Sequence, residues 1–175
     1  MKKRGDKSPH AFPLRKKSRG QMKLSFNMIF SLILIVVFLG FGIFAITKFL
    51  GMQKATQILN FKTNLQEDVD EIWRSSKGSQ EISYTLPSSI KEVCFVDFSK
   101  TIREEYGDLT RVNNGFENLA FFPVGSGDGN DATKINHINL EQITLERNPY
   151  CVQVKKGKVS MTLSKNYGDA LVLIS

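Results

Sequence analysis

The chain has 175 residues and a formal net charge of +7, which is enough for one modest domain with additional segments. The whole excess lies in residues 1–20, where eight Lys and Arg residues accompany one acidic residue, Asp6. The remaining residues hold 16 basic and 16 acidic groups. We therefore expect no nucleic-acid partner, because the part of the chain that can fold has no surplus of positive charge for phosphates.

Residues 1–20 are predicted to be a basic cytoplasmic leader, and residues 21–50 are predicted to form a transmembrane helix. Residues 24–47 contain no charged side chain and are bounded by Lys23 and Lys48. At a rise of ~1.5 Å per residue this apolar run spans ~36 Å, which exceeds the ~30 Å of a hydrocarbon core. Membrane lipid is therefore an expected partner of the chain.

The leader also predicts the orientation of this helix. Positive charge is retained on the cytoplasmic side of a membrane span, and only Lys48 and Lys54 follow the apolar run closely. We expect the N-terminus in the cytoplasm and residues 51–175 outside the cell membrane. A secretory signal peptide fits less well, because its apolar region has about 7–15 residues and precedes a small-x-small cleavage site.

Residues 51–77 are predicted to continue the spine as an amphipathic helix that ends near Lys77 and Gly78. Apolar residues recur on one face at steps of three and four: Ile58, Phe61, Leu65, Val69 and Ile72. Such a stripe needs an apolar partner outside the membrane. That partner is either the domain's own β-sheet or a coiled coil with other subunits.

Residues 78–175 are predicted to form a small head with a mostly antiparallel β-sheet, so the expected fold class is α+β. Residues 93–96, within the sequence EVCFVDF, are apolar at successive positions, as expected of a central strand with both faces covered. Apolar alternation predicts further strands at residues 82–86, 118–122 and 170–174.

Three other segments of the head have weaker patterns. Residues 99–106 could form a short helix, capped by Ser99 and ended by Gly107. Apolar residues between 135 and 145 predict one or two more strands. The sequences YCVQV and VSMTL flank residues 155–158 and predict a β-hairpin.

Cys94 and Cys151 both fall in strand-like segments of the predicted head. In an oxidising compartment we expect them to form a disulfide that closes a loop of ~57 residues, worth ~3–4 kcal/mol in the loop-entropy model. The alternative is two separate buried thiols that behave as small apolar side chains.

No catalytic, cofactor-binding or metal site is expected, and the protein is not expected to be an enzyme. The head's one histidine, His137, and two separated cysteines cannot supply the four ligands of a usual zinc site. His137 is expected at the surface or at a sheet edge. Residues 128–132, DGNDA, lack the full ligand pattern of a calcium loop, so a turn is the simpler interpretation.

The junction of leader and apolar run has the sequence KKSRGQMKLSFNMIF, residues 16–30. It resembles the class III signal peptide of archaeal type IV pilin-like proteins, in which a prepilin peptidase cuts after a glycine that follows Lys or Arg. The resemblance implies processing at Arg19, Gly20 and Gln21, with cleavage between the last two. Two residues depart from the family. Many members have a carboxylate five residues into the mature chain, where this sequence has Ser25. Lys23 would lie inside the filament core, where a charge without a partner carboxylate is unfavourable.

Two functions are consistent with these features. The resemblance implies a pilin-like structural subunit of a cell-surface assembly, whose partners are prepilin peptidase and other subunits that pack through the N-terminal helix. The alternative is an uncleaved, membrane-anchored domain that binds a partner or ligand outside the cell. The mature N-terminus distinguishes them, because it is Gln21 in the first case and lies within the leader in the second.

Overall fold

A computed structural model describes residues 26–175. The chain divides into two compact units at Gly42. In the described part of the first unit, residues 26–42 are helical, and their large apolar side chains are exposed. The second unit, Ile43–Ser175, contains further helix and all strands of the described residues.

The helix α1, Phe26–Arg74, has 49 residues and no proline. Its first 22 residues carry no charge, whereas the residues beyond Gly51 alternate between an apolar stripe and charged or polar faces. By length and composition α1 can cross a membrane. The predicted long N-terminal helix is therefore confirmed as a candidate membrane span.

The apolar stripe of α1 is buried in the second unit. All five residues predicted for it are at most 7% exposed: Ile58, Phe61, Leu65, Val69 and Ile72. They belong to one core with residues of the strands and of the loops between them. The stripe therefore packs on the domain's own sheets, which was one of the two partners expected for it. Each of these buried side chains contributes ~1.5–3 kcal/mol to folding.

Two antiparallel sheets pack in the second unit. The strands are β1 (Gly78–Thr85), β2 (Glu92–Phe95), β3 (Leu119–Phe122), β4 (Ala132–Thr133), β5 (Tyr150–Gln153), β6 (Lys158–Lys165) and β7 (Leu173–Ile174). One sheet has the order β1-β6-β7 and the other β4-β3-β2-β5. The α+β class is confirmed, with two small sheets in place of the single sheet expected.

Strand β2 lies inside the four-stranded sheet, and both of its faces are covered. Val93 and Phe95 belong to the core that contains the stripe of α1. Cys94 and Val96 belong to a second core. A 3₁₀-helix, Glu104–Val112, contributes Leu109 to this core. The residues of EVCFVDF are therefore apolar at successive positions because both faces of the strand are covered, as predicted.

The predicted hairpin of YCVQV and VSMTL forms only at its turn, and the expected pairing of the two strands is wrong. Strand β5 pairs with β2, whereas β6 pairs with β1 and β7. Only a bridge between Lys155 and Lys158 joins the two segments directly. Beyond it the chain changes sheets, because the N–H of Val154 donates to the carbonyl of Lys91 and the N–H of Leu86 donates to that of Gly157.

Two local predictions in the head are also corrected. Residues 99–103 are not helical, because the Asp97 carboxylate accepts hydrogen bonds from the N–H and hydroxyl of Ser99 and holds a turn. Part of the segment at 135–145 forms the short helix α2, Leu140–Ile143, and not a strand. The side chain of Asn139 caps α2 by accepting a hydrogen bond from the N–H of Gln142, 3.1 Å away.

The C-terminal end of α1 lies three residues before the predicted Lys77. The Lys165 ammonium donates hydrogen bonds to the carbonyls of Trp73 and Ser75, at 2.6 and 3.0 Å. The Trp73 carbonyl is one that the helix itself leaves without a donor, Ser75 follows the helix end, and a cation is favourable at that end of the helix dipole. Gly78 therefore opens β1 and does not cap the helix.

Candidate functional site

The three residues predicted for processing, Arg19, Gly20 and Gln21, lie outside the described residues. The same holds for Lys23 and Ser25. The functional surface that the structure does describe therefore begins with the apolar part of α1.

The apolar part of α1 exposes large side chains around the whole helix. Between residues 26 and 50 their exposed fractions range from 39% at Leu34 to 78% at Phe26. An apolar surface of this extent requires lipid or other apolar helices around it. At Gly40 and Gly42 an added Cβ would meet nothing within 4 Å, so the described residues leave room there for the close approach of another helix.

A disulfide joins Cys94 and Cys151. The two residues are direct neighbours in the register of β2 and β5, with their Cα atoms 4.0 Å apart. The bond therefore ties an inner strand to an edge strand of the four-stranded sheet. Glu92 lies close enough to form a three-residue metal-ligand group with both cysteines, but their sulfur atoms bind each other and are not thiolate ligands.

A polar cluster that the sequence analysis missed connects α1 to the loop around His137. The Nδ1 atom of His137 lies 2.8 Å from Oδ1 of Asp70. The imidazole stacks on the indole of Trp73, with ring centroids 3.7 Å apart and planes at 5°. His137 has a backbone φ of 64°, so it occupies a tight turn and not the strand that was expected.

Gln66 and Trp73 complete this His137 cluster, which consists of Gln66, Asp70, Trp73 and His137. The Gln66 amide donates to Oδ1 of Asp70 at 2.8 Å, and its carbonyl accepts from the N–H of Asn136 at 2.8 Å. The Trp73 indole N–H donates to the carbonyl of Ala170 at 3.0 Å. The hydrogen bond with His137 is the main cause of the lowered pKa of Asp70, while desolvation acts in the opposite direction.

A histidine beside a carboxylate can act as a general base when a nucleophile is within reach. In the part of the chain that the structure describes, no Ser, Thr or Cys side chain hydrogen-bonds to the ring of His137. The contacts of this cluster are instead with the backbone of the loops at 136 and 170. The arrangement holds α1 against these loops.

Two further polar contacts border the stripe, with Lys62 one helical turn before Gln66 on the side of the His137 cluster and Asp68 on the opposite side. The Lys62 ammonium donates to the carbonyl of Ala132 at 3.0 Å and lies 5.8 Å from the centroid of the Phe121 ring. Burial lowers the pKa of this lysine. The Tyr84 hydroxyl donates to the Asp68 carboxylate, and burial together with this bond raises the pKa of Tyr84.

The oxygen-rich loop at residues 128–132 is a turn held by its own side chain. Oδ1 of Asp131 accepts hydrogen bonds from the N–H groups of Gly125 and Gly127, at 2.9 and 2.8 Å. Asp128 has a φ of 53°, a conformation that Asp tolerates in turns. The Asp131 carboxylate thus accepts hydrogen bonds from the backbone of its own loop, which agrees with the interpretation of this segment as a turn.

Comparison of the chain with protein-family models, with curated proteins and with solved structures finds no match.

Proposed function

We propose that this protein is a single-pass membrane protein and a pilin-like structural subunit of a cell-surface assembly, processed by cleavage after Gly20. The observation that supports the proposal is the contrast along α1. Its N-terminal part exposes apolar side chains on all sides, whereas the stripe from Ile58 to Ile72 is buried by the protein's own sheets. The surface left for lipid or for other subunits is therefore the apolar part.

The distribution of charge supports processing at this bond. Removal of residues 1–20 takes away the entire net charge of +7 and leaves a neutral chain. An apolar helix preceded only by Lys23 and the new N-terminus can leave a bilayer for a helical bundle at lower cost than one attached to the eight further cations of the leader. Gly40 and Gly42 would then serve close packing between helices of neighbouring subunits.

The mass of the N-terminal peptide from native membranes tests this proposal. We expect a chain that begins at Gln21 in the wild type and a chain that retains the leader in Gly20→Val. Gly5→Val is the matched control, because Gly5 also follows an arginine but lies 15 positions before the proposed site. This control should be processed like the wild type.

A wild-type chain that retains its leader in native membranes would contradict the pilin-like proposal. It would favour the uncleaved, membrane-anchored domain that binds a partner outside the cell. Normal processing of Gly20→Val would also contradict the proposal, since the glycine would then not direct the cut.

A further inference from the structure

The loop between β5 and β6 and the part of α1 immediately after the apolar run line the same surface groove. A groove of about 470 Å³ is lined there by α1 between Leu50 and Gln57, by residues 85–88 and by residues 156–158. All of these residues belong to the second unit. The groove therefore marks where the loop meets the helix.

The three chain segments around this groove are basic. Residues 43–57, 85–91 and 154–160 contain no Asp or Glu. They contain six lysines, which we call the lysine collar: Lys48, Lys54, Lys91, Lys155, Lys156 and Lys158. All six are exposed, and none forms an ion pair with another described residue.

Backbone hydrogen bonds fix the loop that carries three of these lysines. Lys155 and Lys158 exchange two backbone bonds, at 2.8 and 3.0 Å, across a turn in which Lys156 and Gly157 have φ values of 52° and 73°. The N–H of Leu86 donates to the carbonyl of Gly157 at 2.9 Å. The collar thus presents its charges from a defined backbone.

Exposed apolar side chains accompany the collar on α1. Phe49, Leu50 and Met52 are 56%, 51% and 62% exposed. From Leu50 to Gln57 the helix rises ~10 Å, which is more than the ~5–7 Å depth of one headgroup layer, so this segment is long enough to extend through that layer. Apolar side chains next to lysines whose stems can extend toward polar surroundings are typical of a membrane interface.

We propose that the lysine collar binds anionic phospholipid headgroups at the membrane surface from which α1 emerges. The proposal rests on the membrane-spanning role of α1 given under the proposed function. Surplus positive charge is complementary to a phosphate-bearing surface, and the carboxylate that follows Lys91 in sequence, Glu92, accepts a hydrogen bond from the Tyr106 hydroxyl and pairs with no collar lysine. Each lysine near a phosphate-bearing surface strengthens binding about fivefold. The collar would hold the second unit close to the bilayer.

The test measures lipid bound to the full chain in detergent micelles that contain equal amounts of phosphatidylglycerol and phosphatidylcholine. Native mass spectrometry gives the ratio of the two lipids that remain bound. We expect enrichment of phosphatidylglycerol on the wild type and an enrichment about 25-fold weaker for Lys156→Asn with Lys158→Gln. Asparagine is chosen at position 156 because it tolerates positive φ.

The matched control is Lys77→Gln with Lys134→Gln, which removes the same charge from exposed lysines outside the collar. It should bind phosphatidylglycerol as the wild type does. Equal enrichment on the wild type and both double variants would overturn the proposal. So would displacement of the bound lipid by a polyglutamate peptide at low concentration, which would identify an acidic protein as the occupant.

Retention of each chain in vesicles after an alkaline wash is measured in parallel. If the wild type is washed out, the membrane-spanning role fails. If all three chains are retained and only the collar variant loses phosphatidylglycerol, the membrane-spanning role of α1 and the collar are both supported. Retention of all chains without lipid preference overturns the collar alone.

Discussion

Asp70 shares hydrogen bonds with two side chains, Gln66 one helical turn earlier and His137, which is 67 positions away. The bond with His137 holds the pKa of Asp70 below its ordinary value against the effect of desolvation. Because the folded-state pKa is depressed, the carboxylate stabilises the fold above the ordinary pKa of Asp, ~3.9. That stabilisation is lost as the pH falls through the folded-state value.

We therefore expect Asp70→Asn to reduce the loss of thermal stability in acid. In detergent micelles, the difference in Tm between pH 6 and pH 3 should be smaller for this variant than for the wild type. Circular dichroism at a series of pH values measures it. Asp128→Asn is the control, since Asp128 is exposed and its positive φ suits asparagine. An unchanged pH profile in Asp70→Asn would show that the His137 bond does not stabilise the fold.

At this scale the sequence allowed only part of the site to be predicted. Gln66, Asp70 and Trp73 are spaced by four and three residues, so they share a helix face, and this spacing could have indicated a second contact surface. Nothing local marks His137 as their partner. Its position depends on a turn with φ of 64° and on a loop 67 residues from Asp70. Long-range contacts of this kind have no signature in either segment alone.

Among the elements, the second half of α1 has the clearest energetic role. Leu65 is fully buried in the core, whereas Leu59 on the same helix is 52% exposed. This pair separates the effect of burial from that of helix propensity, because both residues are leucines in a helix interior.

We expect Leu65→Ala to lower the free energy of unfolding by ~2–5 kcal/mol, through the loss of buried apolar contacts and the cavity left behind. Leu59→Ala should change it by less than ~0.5 kcal/mol. Urea titration of the full chain in a mild detergent, followed by near-ultraviolet circular dichroism, measures both. Equal effects of the two substitutions would contradict the packing of the stripe on the sheets.

The disulfide connects positions 57 residues apart in sequence. Its removal in Cys94→Ala with Cys151→Ala should lower the free energy of unfolding by ~3–4 kcal/mol, because the unfolded chain regains the freedom of that loop. Calorimetry with and without reductant measures the effect as a decrease in Tm. Reductant should lower the Tm of the wild type and leave that of the double variant unchanged. A wild type whose Tm is unaffected by complete reduction would contradict the prediction.

The positions of the strands were easier to predict than the strands with which they pair. Alternation placed β1, β3 and β6 near their observed positions, because it reports which side chains face a core. It carried no information about which strands pair, and the hairpin of β5 with β6 was therefore wrong. The change of sheet is decided by backbone hydrogen bonds of Leu86 with Gly157 and of Val154 with Lys91, which side-chain patterns do not encode.

For the whole molecule, the apolar part of α1 predicts stable association with membranes. The wild type should remain with vesicles after an alkaline wash, because the apolar run is long enough to cross the hydrocarbon core. Ile35→Arg with Val36→Arg should reduce this retention strongly, since each arginine at a helix centre disfavours insertion by ~2.5–3.5 kcal/mol.

Asn60→Arg is the control for this experiment, because Asn60 is exposed on α1 beyond the apolar run. It should be retained like the wild type. Immunoblots of pellet and supernatant measure all three chains. Retention of the double arginine variant would mean that the apolar run does not cross the bilayer.

The whole-molecule features that could be predicted are those that local composition decides. A run without charge and a stripe at helical spacing were enough to predict α1 and its two parts. The division of the head into two sheets was not predictable, because it depends on pairing between strands that are far apart in sequence. In the pairing of β1 with β6, for example, Ile82 lies opposite Met161. Such a pairing depends on the combined packing of distant segments.

The pairing of β1 with β6 also determines when the domain can fold during synthesis. The core around Phe61 requires Val159, Met161 and Leu163 of β6, which lie about 100 residues later in the chain. A ribosome adds about 5–20 residues per second, so the apolar stripe of α1 is synthesised about 5–20 s before these partners. Completion of the fold therefore depends on the last strands of the chain, β6 and β7, and not on the early synthesis of α1.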